Sequence, residues 1–298
     1  MKKTMIRIMN TVLILALGFG LFRFIGDAVQ SRRSRQDYEQ ALQIVTGQTA
    51  PQQPVQDSAA EEPTEALPPD EQEEDVPAPE DPAPEEQSEE APQIPDDPYI
   101  EELLTYDISA LQEENEDVIG WIMIPDTNIS FPLLQWTDNE FYLSHSWDQS
   151  KNNSGSIFME WQNSPDLTDF NTIIYGHNMS RVNMFGSLHS YRNPKYFAEH
   201  PHVYVLIDTG VYRYDVFATR RADVDSIVYG LGIESDYKKE ELIRYSVDYS
   251  DVDSDIVPTI EDRLLTLSTC SGQGYSNRWI VQCVLNEEAS YILDEPMY

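Results

Sequence analysis

An acidic, proline-rich stretch divides the chain into three parts of different character. Residues 36–98 contain nineteen Asp and Glu and no Lys or Arg, and from residue 50 onward this stretch has twelve prolines and no glycine. Such a segment buries too little apolar surface to fold, and proline with like charges favours extended chain. We therefore predict a disordered linker at 36–98, either a stiff stalk or an inert tether, between an N-terminal part (1–35) and a folded domain (99–298).

The N-terminal part has the pattern of a membrane anchor. Residues 1–35 hold seven basic residues and one acid, and residues 8–25 are mostly apolar. A run of this length just reaches what a helix needs to cross a bilayer. A cleavable signal peptide is the alternative, but no A-x-A site follows the run. We predict an uncleaved transmembrane helix at 8–25, and the basic residues on its two sides leave its orientation open.

The charge and the cysteine count of the chain exclude several classes of protein. The net charge is −34, and residues 99–298 hold thirty-three acids against twelve bases. Nucleic-acid binding requires clustered Lys and Arg, so we predict no nucleic-acid partner. Two cysteines cannot form a disulfide framework or a Cys-based zinc site. His200 and His202 lack a third ligand, and we therefore predict no metal and no cofactor.

The folded part reads as mainly β, with many short apolar runs between turn residues, which is typical of a barrel or sandwich. Apolar residues at helical spacing predict one helix over Tyr99–Glu116, at the start of the domain, and a second over Ser235–Tyr245. The strand-like runs are Val118–Ile124, Ile129–Leu134, Gly155–Met159, Thr172–Tyr175, Val203–Ile207, Val211–Thr219, Leu264–Ser268 and Arg278–Leu285.

Cys270 is the candidate nucleophile. It follows the apolar run that begins at Leu264 and opens a polar turn, where a reactive thiol is accessible. Cys283 lies inside the next run and is predicted to be a buried small hydrophobe. In a hairpin about Gly274, Cys270 faces the region of Trp279. The two sulfurs then lie roughly 13 Å apart, which is too far for a disulfide.

A nucleophilic cysteine needs a nearby base or cation that favours its thiolate. His177 follows the run Thr172–Tyr175 and repeats the strand-end position of Cys270, although a structural role is the alternative for any one histidine. Arg278 begins the strand across the turn from Cys270, where it could stabilise an oxyanion. A surface ion pair is the alternative for Arg278, but the scarcity of cations in this domain predicts that it is buried or flanked by a groove.

The motifs around these residues resemble those of class B sortases over residues 112–285. Thr266-Leu267-Ser268-Thr269-Cys270 followed by Arg278 is similar to the TLxTC…R signature of sortases. The class B pattern around the family's histidine is similar to Tyr175-Gly176-His177-Asn178-Met179 followed by Met184-Phe185. Other similar segments are Gly120-Trp121-Ile122, Ile124-Pro125-Asp126-Thr127, Pro132-Leu133-Leu134-Gln135 and Gly155-Ser156-Ile157-Phe158-Met159.

The resemblance implies a closed eight-stranded sortase-type β-barrel and a cysteine transpeptidase. The enzyme would be anchored in the cell membrane with its N-terminus cytoplasmic and its catalytic domain outside. Cys270 would attack the Thr carbonyl of a C-terminal sorting signal on a surface protein, and an amine of a peptidoglycan precursor or a pilin would resolve the thioester. His177 would be the acid and base, and Arg278 would stabilise the oxyanion. Asn139, Leu143 and Ser268 match substrate-groove positions, with packing or capping as their alternative.

Some features depart from the family pattern or leave alternatives open. Ser271 stands where some class B members have an acid, so no role for an acid is carried over. Asp97-Pro98-Tyr99 is similar to the lid tripeptide of class C sortases but lies at a predicted helix start. The loop 219–235 does not align cleanly, so its candidates Val228 and Tyr229 are not assigned. An anchored peptide-binding domain and a simple thiol protease remain alternatives, and adding an amine distinguishes the protease from a transpeptidase.

Overall fold

The computed structural model describes residues 32–47, 94–179, 184–270, 276–293 and 296–297, with Cys270 described by its backbone alone. The predicted anchor at 8–25 and residues 48–93 of the predicted linker lie outside these ranges. Within them, no helix has the length and the hydropathy of a membrane span.

Eight strands close into a barrel, as predicted. In the sheet they follow the order β5-β1-β2-β3-β4-β7-β8-β6, and β5 pairs with β6 to complete the ring. A two-residue strand, β9, adds to β6 outside the ring and is not predicted from the sequence. The strands are β1 (Val118–Met123), β2 (Ser130–Leu134), β3 (Ile157–Met159), β4 (Asn171–Gly176), β5 (His202–Ile207), β6 (Gly210–Asp223), β7 (Leu264–Cys270), β8 (Asn277–Leu285) and β9 (Tyr291–Ile292).

Several strands are buried on both faces, which explains why they read as continuous apolar runs rather than as strict alternation. In β1 five of six residues are buried, and in β5 five of six. The inner face fills the barrel, and helices and loops cover much of the outer face. Trp121 and Leu267 are fully buried in the resulting core, which joins most of the strands.

The predicted helix over Tyr99–Glu116 is wrong as a single element. The chain forms two short helices instead, α2 (Pro98–Leu103) and α3 (Ile108–Gln112), which are numbered after the helix α1 at 32–45. The Asp107 side chain accepts a hydrogen bond from the Ala110 N–H and caps α3, which starts a new helix where the apolar spacing alone predicts continuation. Asp97 caps α2 and Pro98 occupies its first turn, so the tripeptide at 97–99 is a helix start.

The predicted helix over Ser235–Tyr245 is confirmed as α5 (Asp236–Asp248), with Ser235 at its N-cap position. The helix α4 (Pro194–Glu199) is not predicted from the sequence, and it packs beside a 3₁₀ helix at Gly186–Arg192.

The first described helix, α1 (32–45), corrects the predicted boundary of the linker. Residues 36–45 are helical, although the acidic composition of 36–98 places them in the disordered part. Tyr38, Ala41 and Val45 repeat at helical spacing and are buried in the main core of the domain. The backbone N–H of Asp107 also donates to the Val45 carbonyl at 2.8 Å. The folded domain therefore begins before the acidic stretch rather than after it.

Candidate functional site

Three adjacent strands bring the predicted catalytic residues to one end of the barrel. β4 runs parallel to β7 with Gly176 opposite Thr269, and His177 follows Gly176 directly. β7 runs antiparallel to β8 with Cys270 opposite Arg278. The predicted hairpin about Gly274 placed Cys270 opposite the region of Trp279, and the observed partner is the adjacent residue Arg278. In the observed pairing, Arg278 is the strand partner of the cysteine.

A cleft of about 200 Å³ opens at this end of the barrel. It combines apolar walls with a few polar groups, as is common for ligand sites. The predicted residues Asn139, Leu143, His177, Ser268 and Arg278 all line it. The full lining is Asn139, Leu143, Phe158, Tyr175, Gly176, His177, Ser268, Thr269 and Arg278.

A backbone carbonyl holds the imidazole of His177. The ring atom Nε2 lies 2.8 Å from the carbonyl oxygen of Leu143. Because a carbonyl only accepts hydrogen bonds, Nε2 carries a proton and donates. In the neutral ring Nδ1 is then the basic atom. The loop that presents Leu143 to the cleft thus also determines which nitrogen of His177 exchanges a proton.

Gly155 lies against the same imidazole in the left-handed region, at φ +59°. A Cβ at this position would lie 2.8 Å from Cδ2 of His177, 2.6 Å from the carbonyl oxygen of Tyr142 and 3.0 Å from that of Leu143. Only glycine fits both the backbone and the space. The sequence motif that starts at Gly155 indicates a strand, but this steric role is not readable from it.

A buried carboxylate orients one wall of the cleft. Glu160 is 4% exposed and accepts hydrogen bonds from Asn139 Nδ2 at 2.6 Å and from the Tyr175 hydroxyl at 3.0 Å. The Trp161 N–H donates to Asn139 Oδ1 at 3.1 Å, which fixes the amide in one orientation. Burial and the neighbouring Glu160 raise the pKa of the Tyr175 phenol. Glu160 is not predicted from the sequence, although an acid directly after the buried strand β3 was a usable signal.

The loop after β6 is hydrogen-bonded to the cysteine strand β7 and to its neighbour β4. The hydroxyls of Tyr229 and Ser268 lie 2.8 Å apart. Buried Asn171 donates to the carbonyls of Val228 at 3.0 Å and Gly230 at 3.2 Å. Val228 itself is fully buried and serves packing, whereas Tyr229 reaches the β7 residue that lines the cleft.

Arg278 and Cys283 occupy different environments on β8. Arg278 is half-buried and flanks the cleft, with Nη1 donating to the Asn277 carbonyl at 3.2 Å. Cys283 is fully buried and free. Burial raises the pKa of its thiol well above the usual range, which suppresses thiolate chemistry. The prediction that Cys283 is a buried small hydrophobe is confirmed.

Among the other four histidines, His145, His200 and His202 have structural contacts. His145 stacks on Phe141 with ring centroids 4.0 Å apart. His200 Nδ1 lies 3.1 Å from the Pro125 carbonyl oxygen, and His202 Nδ1 lies 2.7 Å from Asp215. In the part of the chain that the structure describes, no group of three His, Cys, Asp or Glu side chains could hold a metal ion.

Comparison with known proteins gives consistent matches. The family model of the sortase domain matches residues 122–286. Sortase B of Listeria monocytogenes is 33% identical over 164 residues, which are 55% of this chain and 67% of that protein. The Staphylococcus aureus sortase B–substrate complex is similar with a TM-score of 0.57 at 27% identity, over 60% of this chain and 84% of that chain. The S. aureus sortase B complex with triglycine gives the same TM-score, identity and coverage.

Proposed function

Since this chain belongs to the sortase family and is similar to class B sortases, we propose that it is a class B-type cysteine transpeptidase. It would cleave a C-terminal sorting signal after Thr and transfer the acyl group through a Cys270 thioester to an amine. The observation that supports this most is the juxtaposition of three strand ends, which brings His177 and Arg278 to one cleft beside the Cys270 position.

In the proposed first step, Nδ1 of His177 takes the proton of the Cys270 thiol, and the resulting thiolate attacks the Thr carbonyl carbon of the bound signal. The carbonyl oxygen becomes an oxyanion, which the Arg278 guanidinium stabilises. As the tetrahedral intermediate collapses, the C–N bond breaks and the leaving amine takes a proton from Nδ1 of His177. The Nε2–H remains on the Leu143 carbonyl throughout, so the ring keeps its orientation.

In the proposed second step, the nucleophile that attacks the thioester is an amine rather than water. Nδ1 of His177 accepts a proton from the incoming amine as its nitrogen attacks the thioester carbonyl. The C–S bond breaks, the product amide forms and the Cys270 thiolate is regenerated. An acceptor with a primary amine, such as a peptidoglycan precursor or a pilin Lys, fits this chemistry, and the triglycine in the S. aureus sortase B complex is an analogous ligand.

The groove residues would hold the signal peptide. Asn139 offers an amide that Glu160 and Trp161 orient, and the exposed Leu143 offers an apolar surface. Ser268 lies on the cysteine strand and is joined to Tyr229, so the two can act together on one peptide group. We propose that these contacts set the register of the peptide, which places the Thr carbonyl between Cys270 and Arg278.

We also propose the cellular arrangement that the sequence predicts. Residues 8–25 would form a single membrane anchor with a cytoplasmic N-terminus, and the barrel would act outside the cell membrane on surface proteins that carry a sorting signal. The apolar run and its basic flanks support the anchor.

Intact-mass spectrometry tests the function directly. The detergent-solubilised full chain is incubated with Thr-containing sorting-signal peptides that begin with Asn-Pro, Leu-Pro or Ser-Pro. We expect a mass increase equal to the acyl part of one peptide on the wild type and none on Cys270→Ala. Cys283→Ala is the matched control and should still form the adduct, because Cys283 is buried and its thiol pKa is raised. No adduct on the wild type with any of these peptides would refute the proposal.

Adding triglycine separates the remaining functions. A transpeptidase converts the thioester into a peptide–triglycine product at the expense of hydrolysis. Hydrolysis at a rate that triglycine does not change would identify a simple thiol protease instead. Peptide binding without cleavage would identify an anchored peptide-binding domain.

A further inference from the structure

The helix α1, which includes the first residues of the acidic stretch, contacts the loop that holds the imidazole of His177. On the premise of the proposed function, we infer that Tyr38 of α1 is a positioning residue for His177 and acts through Gly155. A segment outside the matched sortase domain, residues 122–286, would then contribute to catalysis.

Polar contacts join α1 to the loop between β2 and β3. The Ser34 hydroxyl lies 2.8 Å from Asn152 Oδ1, and Asn152 Nδ2 donates to the Asp37 carboxylate at 2.9 Å. The Trp147 indole N–H donates to the Asp37 carbonyl at 2.8 Å. Ser34 and Asn152 are buried, so these bonds lie inside the fold rather than on its surface. The helix is therefore attached to the cleft-lining loop by several specific interactions.

Tyr38 makes the contact closest to the site. Its ring packs edge-on against Phe131, with centroids 5.0 Å apart and an interplanar angle of 80°. Its hydroxyl donates to the Gly155 carbonyl oxygen at 2.5 Å. Burial raises the pKa of Tyr38, so the phenol keeps its proton and remains a donor over the working pH range. The ring serves packing, whereas the hydroxyl fixes the position of one peptide group.

That peptide group borders His177. Cδ2 of the imidazole occupies the space where a side chain of residue 155 would lie. A shift of Gly155 toward the ring would therefore produce a steric clash, and a shift away would remove a contact that restricts the ring. The adjacent ring atom Nε2 is held by the Leu143 carbonyl oxygen, which would lie 3.0 Å from a Cβ at residue 155. The Ser156 N–H donates to the Tyr142 carbonyl at 2.9 Å, and this bond joins the loop segment that contains Gly155 to the segment that contains Leu143. Tyr38 therefore holds the residue that lies against the imidazole edge formed by Cδ2 and Nε2.

The test compares Tyr38→Phe with Tyr106→Phe in the full chain. Tyr106 is a matched control because it is also buried, packs edge-on against Trp121 with centroids 5.5 Å apart, and donates its hydroxyl to Glu102 at 3.0 Å. Each variant loses one hydroxyl and keeps its ring. If the Tyr38 hydroxyl only stabilised the core, the two variants could differ in denaturation experiments. They would still have the same kcat, the same pH profile and the same His177 resonances.

We expect Tyr38→Phe to lower kcat of transpeptidation about tenfold with KM little changed, since small misplacement of a catalytic group costs up to about a hundredfold. The pH profile of kcat should shift with it, because the contacts of the imidazole change. Tyr106→Phe should keep the kcat and the pH profile of the wild type. A Tyr38→Phe enzyme with the kcat and pH profile of Tyr106→Phe would overturn the inference.

An NMR titration of the His177 imidazole gives a readout that needs no turnover. We expect Tyr38→Phe to move the ring resonances and the titration midpoint of His177, and Tyr106→Phe to leave both unchanged. If the wild type forms no thioester, the proposed function fails, and the titration alone then decides the positioning inference. Unchanged His177 resonances in Tyr38→Phe would refute the inference whether or not the chain is a transpeptidase.

Discussion

Replacing Gly155 with Ala probes the space on which the orientation of His177 depends. The new Cβ would lie 2.8 Å from Cδ2 of the imidazole and 2.6 Å from the Tyr142 carbonyl oxygen. Ordinary contacts between carbon atoms are about 3.5–4.0 Å, so the ring or the loop must move by roughly 0.7–1.2 Å. A misplacement of about 1 Å at a catalytic group lowers the rate by about a hundredfold. The positive φ adds a conformational cost of about 1–2 kcal/mol.

Gly232→Ala separates these two effects. Gly232 has nearly the same backbone conformation, at φ +56°, but a Cβ there meets no atom within 4 Å. Both variants should lose about 1–2 kcal/mol of unfolding free energy in urea, with a larger loss for Gly155→Ala. Only Gly155→Ala should lose transpeptidation activity, by roughly 10–100-fold in kcat/KM. Wild-type kcat/KM in Gly155→Ala, or an equal loss in both variants, would refute the reasoning.

Three further predictions concern stability and the groove wall. Cys283→Ser should cost about 1–3 kcal/mol in urea denaturation without changing kcat, since it buries a hydroxyl in an apolar site; unchanged stability would contradict this. Asn171→Ala should raise KM for the peptide, because it removes the hydrogen bonds that hold the carbonyls of Val228 and Gly230. An unchanged KM would show that these hydrogen bonds are not needed to position the loop. Burial raises the pKa of the Tyr175 and Tyr214 phenols in the folded state above the value of about 10 in the unfolded chain. The protonated phenols therefore stabilise the fold fully below about pH 10, and this contribution is lost as the pH rises further. Circular dichroism should therefore show alkaline unfolding above that pH, and an unchanged spectrum at about pH 12 would argue against it.

The strands were predictable because each is a short apolar run between turn residues. All eight barrel strands were located, and their ends differ from the prediction by a few residues, as in β6 (Gly210–Asp223) against Val211–Thr219. The closure of the sheet into a barrel could not be predicted from local sequence. The strand pattern left a barrel and a sandwich open, and the resemblance to sortases implied the closed barrel that the pairing of β5 with β6 completes.

The candidate site was predictable where a residue type carries chemistry at a strand end. His177 and Arg278 are such residues, and the sheet brings them to one cleft. Gly155 and Tyr38 were not predicted, because their roles arise from neighbours that lie far away in the sequence. Glu160 was also not predicted, although its position directly after β3 was a usable signal. Tyr38 and Gly155 are 117 residues apart, and no periodicity connects them.

The position of α1 changes the interpretation of the acidic stretch. Residue 45 accepts a hydrogen bond from Asp107, and α2 begins at Pro98 on the same domain. Residues 48–93 therefore join two elements that both pack on the barrel, rather than joining an anchor to a domain. If residues 8–25 form the proposed anchor, at most six residues, 26–31, lie between it and the first described residue of α1. The distance between the barrel and the membrane would then be set by that short connection and not by the length of the acidic stretch. Deleting part of residues 48–93 should accordingly leave activity on membrane-bound substrates largely unchanged, whereas unpacking α1 should reduce it.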